Sequence, residues 1–164
     1  PLNKDLGKKV SLFTIKSLKL TRGFQRGQIT SLKVNIHNDS SKHISALGEG
    51  NIDFSRDDIR IGLGWANSPG KYRTGFLSRW YDEKGKEVLE HDYISWFPFA
   101  TWLSGDIPPK STVSSSVLMK VPNQAGPYRL EIMLFQDLGF AKQGSKIARI
   151  KKPIKTMILR VDVK

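Results

Sequence analysis

Met157-Ile158-Leu159-Arg160-Val161-Asp162-Val163 is the cleanest alternation in the chain. Met157, Leu159, Val161 and Val163 point one way from an extended backbone, while Arg160, Asp162 and Lys164 point the other. Such a period of two marks an antiparallel strand with one buried face. The same pattern recurs upstream. Tyr128, Leu130, Ile132 and Leu134 are in phase, as are Val113, Ser115, Val117, Met119 and Val121. Ile59, Ile61, Leu63 and Trp65 form another face, and Thr30, Leu32, Val34 and Ile36 a further one. With segments near 10–20, 75–81 and 86–93, the count is about eight or nine strands and almost no helix, which suits a two-layer sandwich. The predicted core holds Leu32, Val34, Leu63, Trp65, Leu130, Ile132, Leu159 and Val161.

Turn chemistry separates the strands. Asp82-Glu83-Lys84-Gly85 reads as a hairpin loop with glycine in the left-handed position. Pro108-Pro109 and Pro122-Asn123-Gln124-Ala125-Gly126 bracket the strand near 112–121. Residues 42–58 and 94–108 read as long loops, where function tends to sit. Trp65 early in the pattern and Gly126-Pro127-Tyr128 at a strand start, the latter like a tyrosine corner, make the expected fold an all-β, immunoglobulin-like antiparallel β-sandwich.

The 164 residues fit one domain, 1–164, with enough chain to bury a core. There is no cysteine, which removes disulfides, thiolate metal sites and cysteine nucleophiles together. No apolar run approaches the roughly 20 residues that a spanning helix needs. No signal peptide is visible, and the start at Pro1 is read as that of a processed protein or, in preference, of a module cut from a longer chain. The net charge of +12 is uneven: seven basic residues against Asp5 in 1–26, eight against Asp162 in 142–164, and seven against nine acids in 49–92. A basic balance of this kind attracts polyanions or simply aids solubility.

Catalytic signatures are missing. Gly62-Leu63-Gly64 lacks the third glycine of a dinucleotide fingerprint, and neither a nucleophile elbow nor a P-loop occurs. His37, His43 and His91 lack metal-ligand spacing. Asp57-Asp58 and Asp82-Glu83 read as solvated turn residues, with calcium ligation the lesser alternative. Nothing calls for a cofactor or a metal. Asn38-Asp39-Ser40 matches a glycosylation sequon. The informative stretch is Tyr93-Ile94-Ser95-Trp96-Phe97-Pro98-Phe99-Ala100-Thr101-Trp102-Leu103, with five aromatics in ten residues. It is either a binding platform or a plug over one end of the sandwich. Aromatic faces stack on sugars and bases at little entropic cost. Trp80-Tyr81 is a second aromatic pair, of which strand alternation sends one ring inward and one out.

The residues Ile61-Gly62-Leu63-Gly64-Trp65, Trp80-Tyr81-Asp82-Glu83-Lys84-Gly85-Lys86-Glu87-Val88, Leu103 to Ser111 and Val121-Pro122 through Gly126-Pro127-Tyr128-Arg129-Leu130 carry a resemblance. From Ile59 to about Gly144 the chain resembles the C-terminal carbohydrate-binding domain of bacterial O-antigen polysaccharide ABC transporter ATPase subunits. It is also similar to accessory domains of polysaccharide-biosynthesis glycosyltransferases. Where such modules often place Trp-Phe, this chain has Gly139-Phe140-Ala141. The resemblance implies a cytoplasmic, non-catalytic module that binds a glycan or polysaccharide within a parent ATPase or glycosyltransferase chain. The candidate glycan-binding rings are Trp80, Tyr81, Trp96, Phe97 and Trp102. The rivals are a basic adaptor that binds nucleic acid or anionic membrane, with Lys151, Lys152 and Lys155 as its candidate contacts, and a structural domain or homodimer whose interface core is the aromatic cluster. Aromatics and lysines lie apart along the chain, which favours a glycan or protein partner over nucleic acid.

Overall fold

The computed structural model of the protein describes residues 5–46, 73–88, 100–143 and 146–164. Among the described residues the chain runs β1 (Val10–Thr14), the one-turn helix α1 (Leu18–Arg22), β2 (Ile29–Asn38), β3 (Thr74–Tyr81), β4 (Glu87–Val88), β5 (Ala100–Trp102), β6 (Ser111–Lys120), β7 (Gly126–Gln143) and β8 (Lys146–Val163). One sheet has the order β1-β2-β6. The other runs β4-β3-β7-β8, with β5 sharing the β4 side of β3. Every ladder is antiparallel, and the two sheets make an all-β sandwich.

The parity read from the sequence is the parity of the core. β2 buries Leu32, Val34 and Ile36, β6 buries Val117 and Met119, and β7 buries Leu130, Ile132 and Leu134. From β8, Val161 and Val163 are buried, and Met157 and Leu159 pack against the same cluster. Each such side chain contributes about 1.5–3 kcal/mol when fully buried. Two expected core residues, Leu63 and Trp65, lie outside the described residues with the rest of the 59–65 segment that the sequence reads as a strand.

The tryptophan described at the centre of this core is Trp80, only 4% exposed. Phe24 meets it edge-on at 5.5 Å and Tyr128 at 6.2 Å. Trp80 is therefore corrected from a candidate sugar platform to a packing residue, because a ring enclosed by two others has no face to offer. The alternation itself holds: Trp80 goes in and Tyr81 out.

Three boundaries differ from expectation. The 10–20 segment is not one strand. β1 stops at Thr14, and Ser17 accepts a hydrogen bond from the Lys19 amide (3.2 Å), capping a turn of helix that ends at Gly23 with φ 91°. The tail of the aromatic loop is a strand, since β5 pairs Gly75, Phe76 and Leu77 with Trp102, Thr101 and Ala100. β7 and β8 are 18 residues each, far longer than their alternating cores, and bulges at Leu134/Phe135 and Asp137/Phe140 carry the ladder onward.

Asn38, the first residue of the sequon, is a structural residue. Its side chain is wholly buried at the end of β2. Nδ2 donates to the carbonyls of Lys42 (2.8 Å), Ile107 and Pro108 (both 3.2 Å), while Oδ1 accepts from the Ser40 amide (3.1 Å) and hydroxyl (2.7 Å). It staples two loops that lack a ladder of their own.

Trp80→Ala should cost about 3–5 kcal/mol in urea unfolding, as for other buried large aromatics; a loss below about 1 kcal/mol would place the ring outside the core. Asn38→Ala should cost about 1–3 kcal/mol through the buried hydrogen bonds it removes. Mass spectrometry of the chain passed through a glycosylating secretory route should find Asn38 unmodified.

Candidate functional site

At one end of the sandwich the β3–β4 turn, the start of β7, the end of β8 and α1 converge. They enclose an open cleft of about 440 Å³, lined by Leu20, Asp82, Glu83, Gly85, Pro127, Tyr128, Arg129, Arg160, Val161 and Asp162. Each wall is fixed by local chemistry. The turn closes through Asp82 and Lys86, whose amide and carbonyl pair at 2.9 Å, and the Asp82 carboxylate accepts from the amides of Lys84 and Lys86 (both 2.9 Å). Gly85 has φ 77°, the left-handed geometry expected of it. α1 is held down through Phe24, just beyond its C-terminus. The Phe24 amide donates to the Asp162 carbonyl and the Lys164 amide to the Phe24 carbonyl, both at 2.7 Å.

Tyr128 is the corner residue that the sequence announced. Its hydroxyl donates to the Gln124 carbonyl at 3.0 Å, and its ring stands against Trp80. On the outer face of the second sheet the register sets Glu87, Tyr81, Arg129 and Arg160 in one row across β4, β3, β7 and β8. The Arg129 guanidinium lies over the Tyr81 ring, 4.5 Å from its centroid, and its Nε is 3.5 Å from Glu131. Arg79 Nε is 3.7 Å from Glu87. The row joins a planar cation stacked on an aromatic face to a cleft rich in acceptors and donors, a composition suited to polyhydroxyl ligands.

The candidate rings do not form one groove. Trp80 is buried in the core. Trp96 and Phe97 lie outside the described residues. Trp102 pairs with Gly75, six residues along β3 from Tyr81, which separates the two by roughly 20 Å at strand rise. There the Trp102 ring packs on Phe135 (centroids 5.5 Å apart) and under the buried Arg73 (4.4 Å), beside the buried Leu77 and the half-buried Met133. Gly75 makes the room: a Cβ there would lie 2.8 Å from the ring.

The basic candidates lie away from the cleft. Lys152 and Lys155 are half-buried on β8 opposite Gln136 and Leu134, and the backbone register sets Lys151 opposite Asp137. The N-terminal turn runs beside this stretch, with Gly7 against the Ile154 carbonyl. Arg129 and Arg160 escaped the sequence reading because either is simply an outward residue until register makes them neighbours. Among the described residues no helix is long and apolar enough to cross a membrane.

If Trp102 is a packing residue, Trp102→Ala should lower stability by about 2–4 kcal/mol and leave affinity for any glycan bound at the cleft unchanged. Melting and binding measured on the same variant decide it, and a binding loss at unchanged stability would return Trp102 to the candidate site.

No family model and no curated protein matches the chain. Among solved structures it is similar to a family 123 glycoside hydrolase from Clostridium perfringens, described for glycolipid glycan hydrolysis, with 11% identity and a TM-score of 0.34. The match covers 93% of this chain and 28% of that one. The chain thus spans under a third of that enzyme's length, and at that score the two need not share even a topology.

Proposed function

We propose that this is a non-catalytic carbohydrate-binding or accessory module, immunoglobulin-like in its strand order, that serves bacterial polysaccharide biosynthesis or export on the cytoplasmic side as part of a longer ATPase or glycosyltransferase chain. The observation that carries the reading is the open cleft at the strand ends, with the Tyr81–Arg129 stack on its flank. Sugars offer an apolar face of C–H groups ringed by hydroxyls. An aromatic surface, two arginines and the carboxylates of Glu83 and Asp162 match both features. These groups stand on strands and a tight turn, so little ordering is lost on binding.

The basic stretch around Lys151, Lys152 and Lys155 supports a second reading, a polyanion adaptor. Salt separates the two. A glycan array read across ionic strength should show binding that falls only modestly with salt, whereas neutralising many phosphates gives a steep loss through counterion release. Tyr81→Ala should weaken the glycan signal by roughly 1–3 kcal/mol, by analogy with aromatic stacking on bases, with a far smaller stability loss than Trp80→Ala. Steep salt dependence with an indifferent Tyr81 variant would replace the glycan reading with the adaptor.

A further inference from the structure

Arg129 and Arg160 are direct cross-strand partners on the outer face of the second sheet, and both line the cleft. Like charges placed opposite each other in a sheet repel and destabilise the pair. The surroundings relieve only one of them. Glu131 sits 3.5 Å from Arg129 and Glu87 sits 3.7 Å from Arg79, while Asp162, two residues along the same face of β8 from Arg160, makes no ion pair with it. Among the described residues Arg160 has no such partner, and it is exposed.

The cleft's own acids are placed differently. Asp82 is engaged by the amides of Lys84 and Lys86, Glu83 stands at the exposed turn, and Asp162 faces Pro127 two pairs beyond. One unneutralised cation beside a second guanidinium matches a single negative charge. A planar carboxylate can accept paired N–H donors from either arginine. A dianionic phosphate would bring more charge to a cleft that already holds three carboxylates.

We infer that the cleft takes an acidic sugar, whose carboxylate sits between Arg129 and Arg160 while its hydroxyls meet the acidic wall. The inference rests on the glycan-binding reading and names the class of sugar. A monoanion between the two guanidinium groups also removes their mutual repulsion, so occupancy should stabilise this edge of the sheet.

The test uses a short oligogalacturonate and its neutral carboxyl-reduced counterpart as probes. Calorimetry on the whole chain is compared with Arg160→Gln and with Lys33→Gln, the latter an equal charge change on the exposed face of β2. The expected result is a preference for the acidic probe of at least about tenfold. Arg160→Gln should erase it by weakening the acidic probe far more than the neutral one, and hold or raise the ligand-free melting temperature. Lys33→Gln should keep the preference. Equal binding of both probes, or a preference that Lys33→Gln removes as fully as Arg160→Gln, overturns the acidic-sugar inference and leaves glycan binding standing. Displacement of the acidic probe by inorganic phosphate at lower concentration than by free galacturonate reassigns the pair to phosphate and overturns it as well. Binding of neither probe, with an empty glycan array, removes both readings.

Discussion

The long pairing of β7 with β8 is the constraint on which the rest depends. Its register sets Leu130 opposite Leu159, Ile132 opposite Met157 and Tyr128 opposite Val161, and so fills the core from two adjacent strands. A slip of β8 by one residue would turn Met157, Leu159 and Val161 to water. That same register sets Arg129 beside Arg160 and Pro127 beside Asp162. The core therefore dictates the cleft: hydrophobic burial on one face selects a charge arrangement on the other that the polar residues, left to themselves, would avoid.

Core and cleft also meet through a single ring. Tyr128 lines the cleft, packs edge-on against Trp80, and is tied by its hydroxyl to Gln124. The strand can begin there because Gly126, at φ 147°, takes a conformation that a side chain would resist. Trp80 in turn meets Phe24, whose backbone clamps the end of β8. Fixing one wall of the cleft thus needs no dedicated scaffold. The interlocked aromatics that hold the sheets together hold the site as well, and a wall immobilised before the ligand arrives loses little entropy on binding.

Much of this was legible in the sequence, for identifiable reasons. One-sided strands announce their parity, as Leu32/Val34/Ile36 against Ser31/Lys33 does, and turns announce themselves through Gly85 and through Pro122 to Gly126. β3 was harder. Buried from Thr74 through Ser78 on both faces, it carries no alternation, so nothing decided whether Trp80 or Tyr81 would face inward. The helix at Ser17 was hidden by length, since five residues give no period. The cleft was hidden because alternation tells which way a residue points and never which strand lies beside it. Trp102 was legible only as platform or plug. Its ring is half-buried against Phe135 and Arg73, and Gly75, a residue without any signal of its own, makes room for that packing.

The excess of positive charge needs the same care. Several lysines act as hydrogen-bond donors where chain segments end. Lys120 Nζ bonds the Gly27 carbonyl at 2.7 Å, and Lys19 Nζ bonds Thr30 Oγ1 and, at 2.8 Å, the Ser31 carbonyl. Lys110 Nζ bonds both the Asp39 carbonyl (2.6 Å) and its carboxylate (2.8 Å). The hydrogen bond and the charge of Lys110 hold the Asp39 carboxyl below its ordinary value. With the folded value depressed, that contact is fully present above the unfolded carboxylate range and fades as pH falls through the lowered value. A long flexible ammonium can reach carbonyls left over at the loops beyond β2 and β6, where no ladder satisfies them. Part of the basic balance thus serves the fold itself. That weakens any inference from net charge to a polyanion, and it shifts weight to cations such as Arg160, which has no ion-pair partner among the described residues.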